Sequence, residues 1–356
     1  MNPKRITNVL EKLNNADALL VSDPIAIYYL IDRMIHPGER FLGLLLKKDQ
    51  KPKLFLNTLF PFEKEEGIEV VDYSDSDDIT KILSKHIDPS DTLGVDKCLQ
   101  ARFLLPMQEA AIAKAYVNGS LAVDHTRAIK DEEELELLRK SSLINDMAME
   151  RFKKLVYEGV SEKEVADQIL DIYLELGAEG FSFEPIVAFG KNAADPHHMP
   201  DDTKLKAGDA VLFDVGCVYK SYCSDMTRTF FFKEGPNEKQ KEVYDLVRKA
   251  NEDAENYVKA GVRLCDIDKV ARDVITKGGY GKYFTHRLGH FIGIEDHEYG
   301  DVSSSFTDLT QENNVFSIEP GIYDPETLGC RIEDLVIVTK EGCEVLNHYP
   351  HDIEII

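Results

Sequence analysis

Hydrophobic and polar positions alternate in a strand-like way over the first third of the chain. Residues 1–124 combine short apolar runs, such as 18–21, 42–46 and 53–56, with helix-like stretches such as 78–87. Short β-branched and aliphatic runs are typical of strands, and their alternation with helices is typical of a sheet packed against helices. The pattern therefore predicts an α/β fold class that begins with a small mixed-sheet N-terminal domain over residues 1–124.

A charged stretch at 130–134 then opens a long helical pattern. Acidic residues are enriched in the first turn of helices, so this stretch predicts the start of a second domain, over residues 125–356. Long polar-faced helices are expected at 131–156 and 236–259. Each is followed by Gly-Val, a further helix and a glycine-rich segment. The repeat indicates two related α/β halves.

Two apolar runs in the second domain carry aspartates beside a predicted turn. Asp214 lies in the run 210–216, and Asp225 precedes the run 226–232. The polar residues around Lys220 are typical of a hairpin turn, which would bring the two aspartates almost opposite each other. Like charges with Cβ atoms about 4.5 to 5.5 Å apart destabilise a sheet unless a cation neutralises them. The pair therefore indicates a metal site.

A second predicted hairpin repeats this arrangement. Glu319 ends the run 315–318, Glu333 precedes the run 335–338, and the turn-rich segment 325–329 lies between them. Carboxylates and imidazole suit Mn²⁺, Co²⁺ or Zn²⁺, and a pair of such ions activates a bridging water near neutral pH. The candidate metal ligands are Asp214, Asp225, His290, Glu319 and Glu333.

Histidines cluster in two further segments. Three lie within 286–299, where glycines argue against a helix and favour a strand or loop. His197 and His198 follow the segment 192–196. We interpret His198 as a surface histidine, because it matches no expected site position.

These motifs resemble those of the pita-bread metallopeptidases, the group that holds methionine aminopeptidase, aminopeptidase P and prolidase. They are most similar to the motifs of bacterial prolidases, which are Xaa-Pro dipeptidases. The matching segments are Asp214 with Asp225, His-x-x-Gly-His at 286–290 with His297 beyond, Glu-Pro-Gly-Ile-Tyr at 319–323, and Arg-Ile-Glu-Asp at 331–334. The resemblance implies a pseudo-twofold pita-bread catalytic domain and a homodimer. It also implies two divalent metal ions, with Mn²⁺ favoured over Co²⁺ or Zn²⁺. A hydroxide that bridges the two ions would cleave the Xaa-Pro bond of a proline-containing dipeptide.

The resemblance also implies a role for each matching residue. Asp225 and Glu333 would bridge both ions, Asp214 would complete one, and His290 with Glu319 would complete the other. Glu319 would in addition pass a proton to the leaving nitrogen. Two histidines, His197 and His297, would contact the substrate and stabilise the tetrahedral intermediate. The residues expected to orient the ligands or bind substrate are His286, Arg287, Tyr323 and Arg331, with an ion-pair role for Arg287 equally open.

Departures from the family pattern concern the substrate pocket. Phe291 replaces a usual glycine and Asp296 a usual apolar residue, and either substitution could reshape the pocket. Asp301 stands where many prolidases have an arginine that helps to hold the dipeptide carboxylate. Arg40 lies in a segment that resembles a loop of bacterial prolidases approaching the partner's active site, and it is our candidate replacement. Arg287 is the in-chain alternative, and simple pairing of Arg40 with Glu39 or solvent is equally compatible.

Composition sets the remaining limits. A chain of 356 residues that is 43% hydrophobic can form two domains with their own cores. A net charge of −23 without a basic stripe argues against nucleic acid or an anionic membrane as partner. The first residues lack the apolar core of a signal peptide, and no apolar run reaches the ~20 residues of a membrane span. Six cysteines without a paired framework favour free thiols and a cytoplasmic protein.

Other function classes remain to be weighed. Aminopeptidase P, which acts on longer Xaa-Pro peptides, is the main alternative. A non-catalytic binding module and a metal-free hydrolase resembling creatinase use the same fold, but the complete set of five ligand residues argues against both.

Overall fold

Alternating apolar runs form a mixed sheet in the N-terminal part of the chain. The computed structural model describes residues 1–63 and 66–356, which divide into two compact units, Met1–Arg127 and Ala128–Ile356. The first unit contains, in chain order, α1 (Pro3–Lys12), β1 (Ala18–Val21), α2 (Pro24–Ile31), β2 (Gly43–Lys47), β3 (Lys53–Asn57), β4 (Glu69–Tyr73), α3 (Ile79–Leu83), β5 (Thr92–Val95), α4 (Ala101–Glu109), β6 (Ala115–Asn118) and α5 (Ser120–Arg127).

The sheet of this unit has the order β4-β3-β2-β1-β5-β6. Strand β1 pairs antiparallel with β2 and parallel with β5, so the predicted mixed sheet is confirmed. The predicted strands begin within one residue of those observed. The helix predicted at 78–87 is regular only over α3, where Asp78 accepts a hydrogen bond from the Lys81 amide, and it continues as hydrogen-bonded turns to Ile87.

The first half of the second unit begins with two capped helices. Asp131 and Glu134 form a capping box that starts the first helix, and Ser161 with Glu164 forms one that starts the second. The elements of this half are α6 (Glu132–Phe152), α7 (Glu162–Glu175), β7 (Gly180–Phe181), β8 (Ile186–Phe189), β9 (Ala210–Val215), β10 (Cys217–Tyr219), β11 (Tyr222–Cys223) and β12 (Met226–Phe231), with 3₁₀ turns at Lys153–Leu155 and Gly190–Ala194.

The second half repeats the order of a long helix, a shorter helix and a broken hairpin, that is, a hairpin whose strand pairing is interrupted part of the way along. Asn237 and Gln240 form the capping box of its long helix. Its elements are α8 (Glu238–Tyr257), α9 (Leu264–Lys277), a 3₁₀ turn at Gly281–Tyr283, β13 (Gly289–Phe291), β14 (Glu298–Val302), β15 (Val315–Ile318), β16 (Gly321–Asp324), β17 (Leu328–Arg331), β18 (Asp334–Val338) and β19 (Cys343–Val345). The predicted two-half catalytic domain is therefore confirmed.

Each half packs its helices on its own sheet. The strand order is β12-β9-β8 in the first half and β14-β13-β15-β18-β19 in the second. Phe152, Val165 and Phe213 belong to the core of the first half, and Val247 and Phe316 to that of the second. Among the described residues, no helix has the length and apolar character needed to cross a membrane.

The first broken hairpin turns where the sequence predicts. Tyr219 pairs with Tyr222, and both residues between them have positive φ, 47° at Lys220 and 68° at Ser221, as a type I′ turn requires. In this register Asp214 lies opposite Thr227, two residues beyond Asp225. The two aspartates, predicted to lie almost opposite each other, are therefore offset by two positions. The two aspartates remain diagonal neighbours on one face, because strand side chains alternate with period two.

The second hairpin has the predicted register. Ile318 pairs with Asp334, and Gly321 pairs with Arg331, so the two ladders follow one register across a gap. Glu319 and Glu333 lie across from each other in that gap. In the first hairpin Asp214 stays within the β9–β12 ladder and Asp225 lies just before β12, whereas in the second hairpin both glutamates lie in the gap between two ladders.

Phe291, one of the departures from the family pattern, packs into space that Gly300 leaves open. Phe291 is 3% exposed and packs on Phe316, with 5.4 Å between ring centroids. Gly300 has φ +123°, and a Cβ at this position would lie 2.5 Å from the Phe291 ring. Phe291 therefore does not line the cavity, because its ring lies in the core in space that the glycine leaves open.

Replacing Gly300 with alanine should destabilise the protein through both overpacking and backbone strain. Overpacking typically costs about 1 to 3 kcal/mol, and strained backbone conformations cost a similar amount. Gly159→Ala is the matched control, because Gly159 has φ +85° and open space at its Cβ position. Denaturant unfolding should show a larger loss for Gly300→Ala. Equal losses would mean that the Phe291 ring does not restrict this position.

Candidate metal centre

Five predicted ligands converge where the two broken hairpins meet. Possible ligand atoms of Asp214, Asp225 and Glu333 lie within 4.8 Å of one another, and the same limit holds for His290, Glu319 and Glu333. A third group joins Asp225 and His290 to Asp296. Asp225, His290 and Glu333 each belong to two of these groups, and of these only the two carboxylates have two oxygens with which to bridge two ions. The arrangement can therefore hold two cations that share these two carboxylates.

The carboxylates are buried and lack partners for some of their oxygens. Asp225 and Glu333 are 4% and 2% exposed. Within residues 1–63 and 66–356, the Oδ1 atoms of Asp214 and Asp225 are inaccessible to solvent and accept no hydrogen bond. A buried charged oxygen without a partner is costly, and a bound cation removes this cost. The residues present therefore fit divalent metal ions.

Electrostatics point in the same direction. Burial, together with the neighbouring acidic groups, raises the pKa of Asp225 and of Glu333 well above the usual range. Burial also raises the pKa of Glu319 to about 8. Each shift disfavours the charged form, because like charges are confined in a region of low polarity. Two dications would reverse the balance and favour ionised carboxylates.

His290 is prepared to act as a neutral ligand. Burial, followed by His297 and Arg287, lowers its pKa well below the usual value. Its Nδ1 lies 3.3 Å from the Phe291 carbonyl oxygen, which can only accept, so we assign the proton to Nδ1. Nε2 then presents its lone pair to the cluster, 3.4 Å from Asp225 and 3.7 Å from Glu319. This tautomer is the one that metal coordination requires.

Arg331 and Tyr323 form a hydrogen-bond network that contacts the acidic cluster. Arg331 is 3% exposed and donates to Asp214, to the Tyr323 hydroxyl at 2.7 Å and to Thr227 Oγ1 at 3.0 Å. Thr227 in turn donates to Glu333 at 2.6 Å. These contacts join strands of both hairpins, so they fix two of the carboxylates relative to each other.

His286 continues this network. Its Nδ1 lies 2.6 Å from the Arg287 carbonyl oxygen, so Nε2 accepts from Tyr323 at 2.8 Å. Burial beside Arg331 lowers the pKa of His286 to about 3 and keeps the ring neutral. His286 is therefore joined to Arg331 through the Tyr323 hydroxyl, next to the acidic cluster.

A cavity of about 240 Å³ opens onto the cluster. Phe183, Ile186 and Pro196 form its apolar wall. All five predicted ligands line it, together with His197, His286, Arg287, Asp296, His297 and Arg331. The structure therefore brings together nearly all the residues that the motifs identified.

His297 lies at the open side of the cavity. Its side chain is 61% exposed, and its ring centroid is 4.0 Å from that of His290. Its Nδ1 lies 3.4 Å from the Arg287 guanidinium. Partial desolvation of the ring beside the cavity, followed by this guanidinium, lowers the pKa of His297, so the neutral ring is favoured. A neutral ring in this position can present one N–H to a bound molecule.

Two predicted substrate-binding arginines are engaged in ion pairs. Arg287 donates to Asp301, the residue that replaces the family arginine. Arg40 lies in the first unit, where it binds Asp75 through two hydrogen bonds of 2.8 and 2.9 Å and also pairs with Glu39. The ion-pair alternative stated for each arginine is thus observed.

Sequence reasoning missed a buried carboxylate behind His197. Glu162 accepts hydrogen bonds from the Phe189 amide at 2.7 Å and from Asn192 at 2.9 Å, and its second oxygen lies 2.6 Å from His198 Nε2. The interpretation of His198 as a surface histidine is wrong, because its side chain is only 12% exposed and is held by Glu162. These contacts fix the segment that carries His197. Only the position of Glu162 at a helix start was visible in the sequence.

Comparison with known proteins agrees with the site and fold. Residues 136–340 match the model of metallopeptidase family M24, and residues 4–129 match the creatinase/prolidase N-terminal domain. The chain belongs to metallopeptidase family M24 and is a metallopeptidase.

Individual relatives cover almost the whole chain. An uncharacterized peptidase of Staphylococcus aureus is 39% identical over 360 residues, covering 97% of this chain and 99% of the relative. The solved Xaa-Pro dipeptidase from Bacillus anthracis matches at TM-score 0.91 and 30% identity, covering 99% of each chain. The X-Pro aminopeptidase from Thermotoga maritima matches at TM-score 0.85 and 30% identity, covering 97% of this chain and 99% of its own.

The metal-free protein should lose stability as the pH rises from about 4.5 to 8. The pKa of Glu319 is about 8 in the folded state against an ordinary value of 4.5, so the folded state keeps a proton that the unfolded chain releases. This contribution is complete below pH 4.5 and is lost through pH 8. Mn²⁺ at 100 times its Kd should restore about 2.7 kcal/mol at pH 8. Thermal unfolding of chelated and reloaded protein measures both effects, and pH-independent stability of the metal-free form would contradict the assignment.

Proposed function

We propose that this metallopeptidase is a dinuclear hydrolase that cleaves the Xaa-Pro bond of dipeptides. The observation that carries the proposal is the sharing of Asp225 and Glu333 between two ligand groups, since a two-metal site needs bridging carboxylates. Asp214 would complete one ion, and His290 with Glu319 the other. When bound, a metal pair lowers the pKa of a coordinated water toward neutrality and polarises the carbonyl.

Glu319 is the proposed proton carrier. Its side chain is 15% exposed, compared with 5% for Asp225, so it is the more accessible of these two carboxylates from the cavity. Ser317 donates to Glu319 Oε1 at 3.2 Å and holds the side chain in place. We infer that Glu319 takes the proton of the attacking water and returns it to the leaving proline nitrogen.

His197 and His297 are the proposed donors to the developing oxyanion. Both line the cavity, and neither belongs to one of the ligand groups found among the described residues. An N–H aimed at the tetrahedral oxygen stabilises charge that forms only during reaction. Arg287, held by Asp301, would keep His297 in position through the contact at its Nδ1.

Short substrates fit the proposal best. The cavity of about 240 Å³ lies below the ~300 to 1,000 Å³ of pockets for drug-sized ligands. The solved relative from Bacillus anthracis is an Xaa-Pro dipeptidase, and both the cavity and this relative favour a dipeptide. The relative from Thermotoga maritima is an X-Pro aminopeptidase, which keeps longer peptides as the second candidate. Arg40 of a partner copy stays our candidate for binding the dipeptide carboxylate.

A direct comparison of substrates tests the proposal. Purified protein loaded with Mn²⁺ should hydrolyse Xaa-Pro dipeptides with higher kcat/KM than matched Xaa-Pro-Yaa tripeptides. Parallel loading with Co²⁺ or Zn²⁺ tests the choice of Mn²⁺. Preference for tripeptides would favour the aminopeptidase alternative, and inactivity on both substrates with every metal would refute cleavage at Xaa-Pro bonds.

Two histidine variants separate metal binding from catalysis. His297→Ala should retain both metals and lower kcat by about 10² to 10³, the range for loss of one oxyanion donor. His290→Ala should lose metal, because its Nε2 is a proposed ligand. Metal content is measured on the purified variants by elemental analysis. Equal metal loss in both variants would mean that the two histidine roles are wrongly assigned.

A further inference from the structure

Asp296 belongs to the metal centre by position. It lies in the segment between β13 and β14, and its side chain is 19% exposed. One of its oxygens, one of Asp225 and a ring nitrogen of His290 lie within 4.8 Å of one another. Relatives commonly have an apolar residue here, so this carboxylate distinguishes the chain from the family pattern.

The two oxygens of Asp296 have different surroundings. Oδ2 lies 3.4 Å from His297 Nε2. Oδ1 is inaccessible to solvent and accepts no hydrogen bond within the part of the chain that is described. The Oδ1 atoms of Asp214 and Asp225 have the same two properties. Asp296 therefore shares with two proposed ligands a buried oxygen that no donor of the described residues satisfies.

Nearby cations of the protein do not account for this oxygen. Arg287, the nearest candidate, donates to Asp301 and contacts His297. Arg331 donates to Asp214, Tyr323 and Thr227. A buried carboxylate with an unsatisfied oxygen costs free energy unless a cation or donor compensates it.

We propose that Asp296 is a further metal-binding carboxylate, which ligates the ion held by His290. The inference rests on the proposed dinuclear centre and extends it beyond the five residues that the family resemblance supplies. A further oxygen ligand favours higher coordination numbers, which suit Mn²⁺ better than tetrahedral Zn²⁺. Asp296 would thus bias this site toward Mn²⁺.

Metal titration of Asp296→Asn tests the proposal without measuring hydrolysis. Calorimetric titration of metal-free protein should show that one of two Mn²⁺ ions binds about 10- to 100-fold more weakly than in the parent protein, the range for losing a supporting group at a metal site. Zn²⁺ binding should weaken less. Asp296→Val, which introduces an apolar residue as in relatives, should have the same effect and replaces the first variant if that one does not fold.

Asp308→Asn is the matched control. It removes the same charge from the same half of the catalytic unit, but Asp308 is exposed and is not part of a ligand group among the described residues. Both Mn²⁺ constants should stay within error of the parent values. Unchanged binding in the Asp296 variants, or equal weakening in the control, would overturn the proposal. A parent protein that binds two Mn²⁺ ions but does not cleave Xaa-Pro bonds would refute only the proposed substrate.

Discussion

Repulsion between buried carboxylates is the constraint on which the catalytic unit depends. Asp225 and Glu333 are almost fully buried, and Asp214 and Glu319 lie beside them. Such a cluster persists only if rigid elements hold it and if positive charge compensates it. Arg331 supplies part of that charge, and hydrogen bonds from Thr227 and Ser317 hold individual oxygens. The unsatisfied oxygens mark where further positive charge is required.

A second buried ion pair anchors the strands that carry this cluster. Arg228 is 1% exposed and donates to the Glu333 carbonyl at 2.7 Å and to Asp334 at 2.6 Å. Arg228 follows Thr227 on β12, and Asp334, the first residue of β18, follows Glu333, so the pair joins the neighbours of two site residues. Strand side chains alternate between faces. Where β12 meets β18, one face of the sheet therefore carries the proposed ligands and the opposite face carries the buried Arg228–Asp334 pair.

The positions of the four proposed carboxylate ligands were predictable because one local turn separates the members of each pair. Residue spacing then places Glu319 across from Glu333, and the I′ turn at Lys220 sets the diagonal relation of Asp214 and Asp225. Contacts between distant segments were not predictable. The space that Gly300 leaves for Phe291, and the hold of Glu162 on the segment of His197, depend on packing that spacing along one strand does not reveal.

The division of the proposed ligands between two halves would make a bound metal pair a cross-link. Asp214 and Asp225 come from the first half, whereas His290, Glu319 and Glu333 come from the second. The pairs Arg228–Asp334 and Arg331–Asp214 already join the halves, and Phe231 of the first half packs in the core of the second. Bound ions would strengthen this coupling, and chelation would weaken it. Metal supply would then govern the lifetime of the folded enzyme as well as its chemistry.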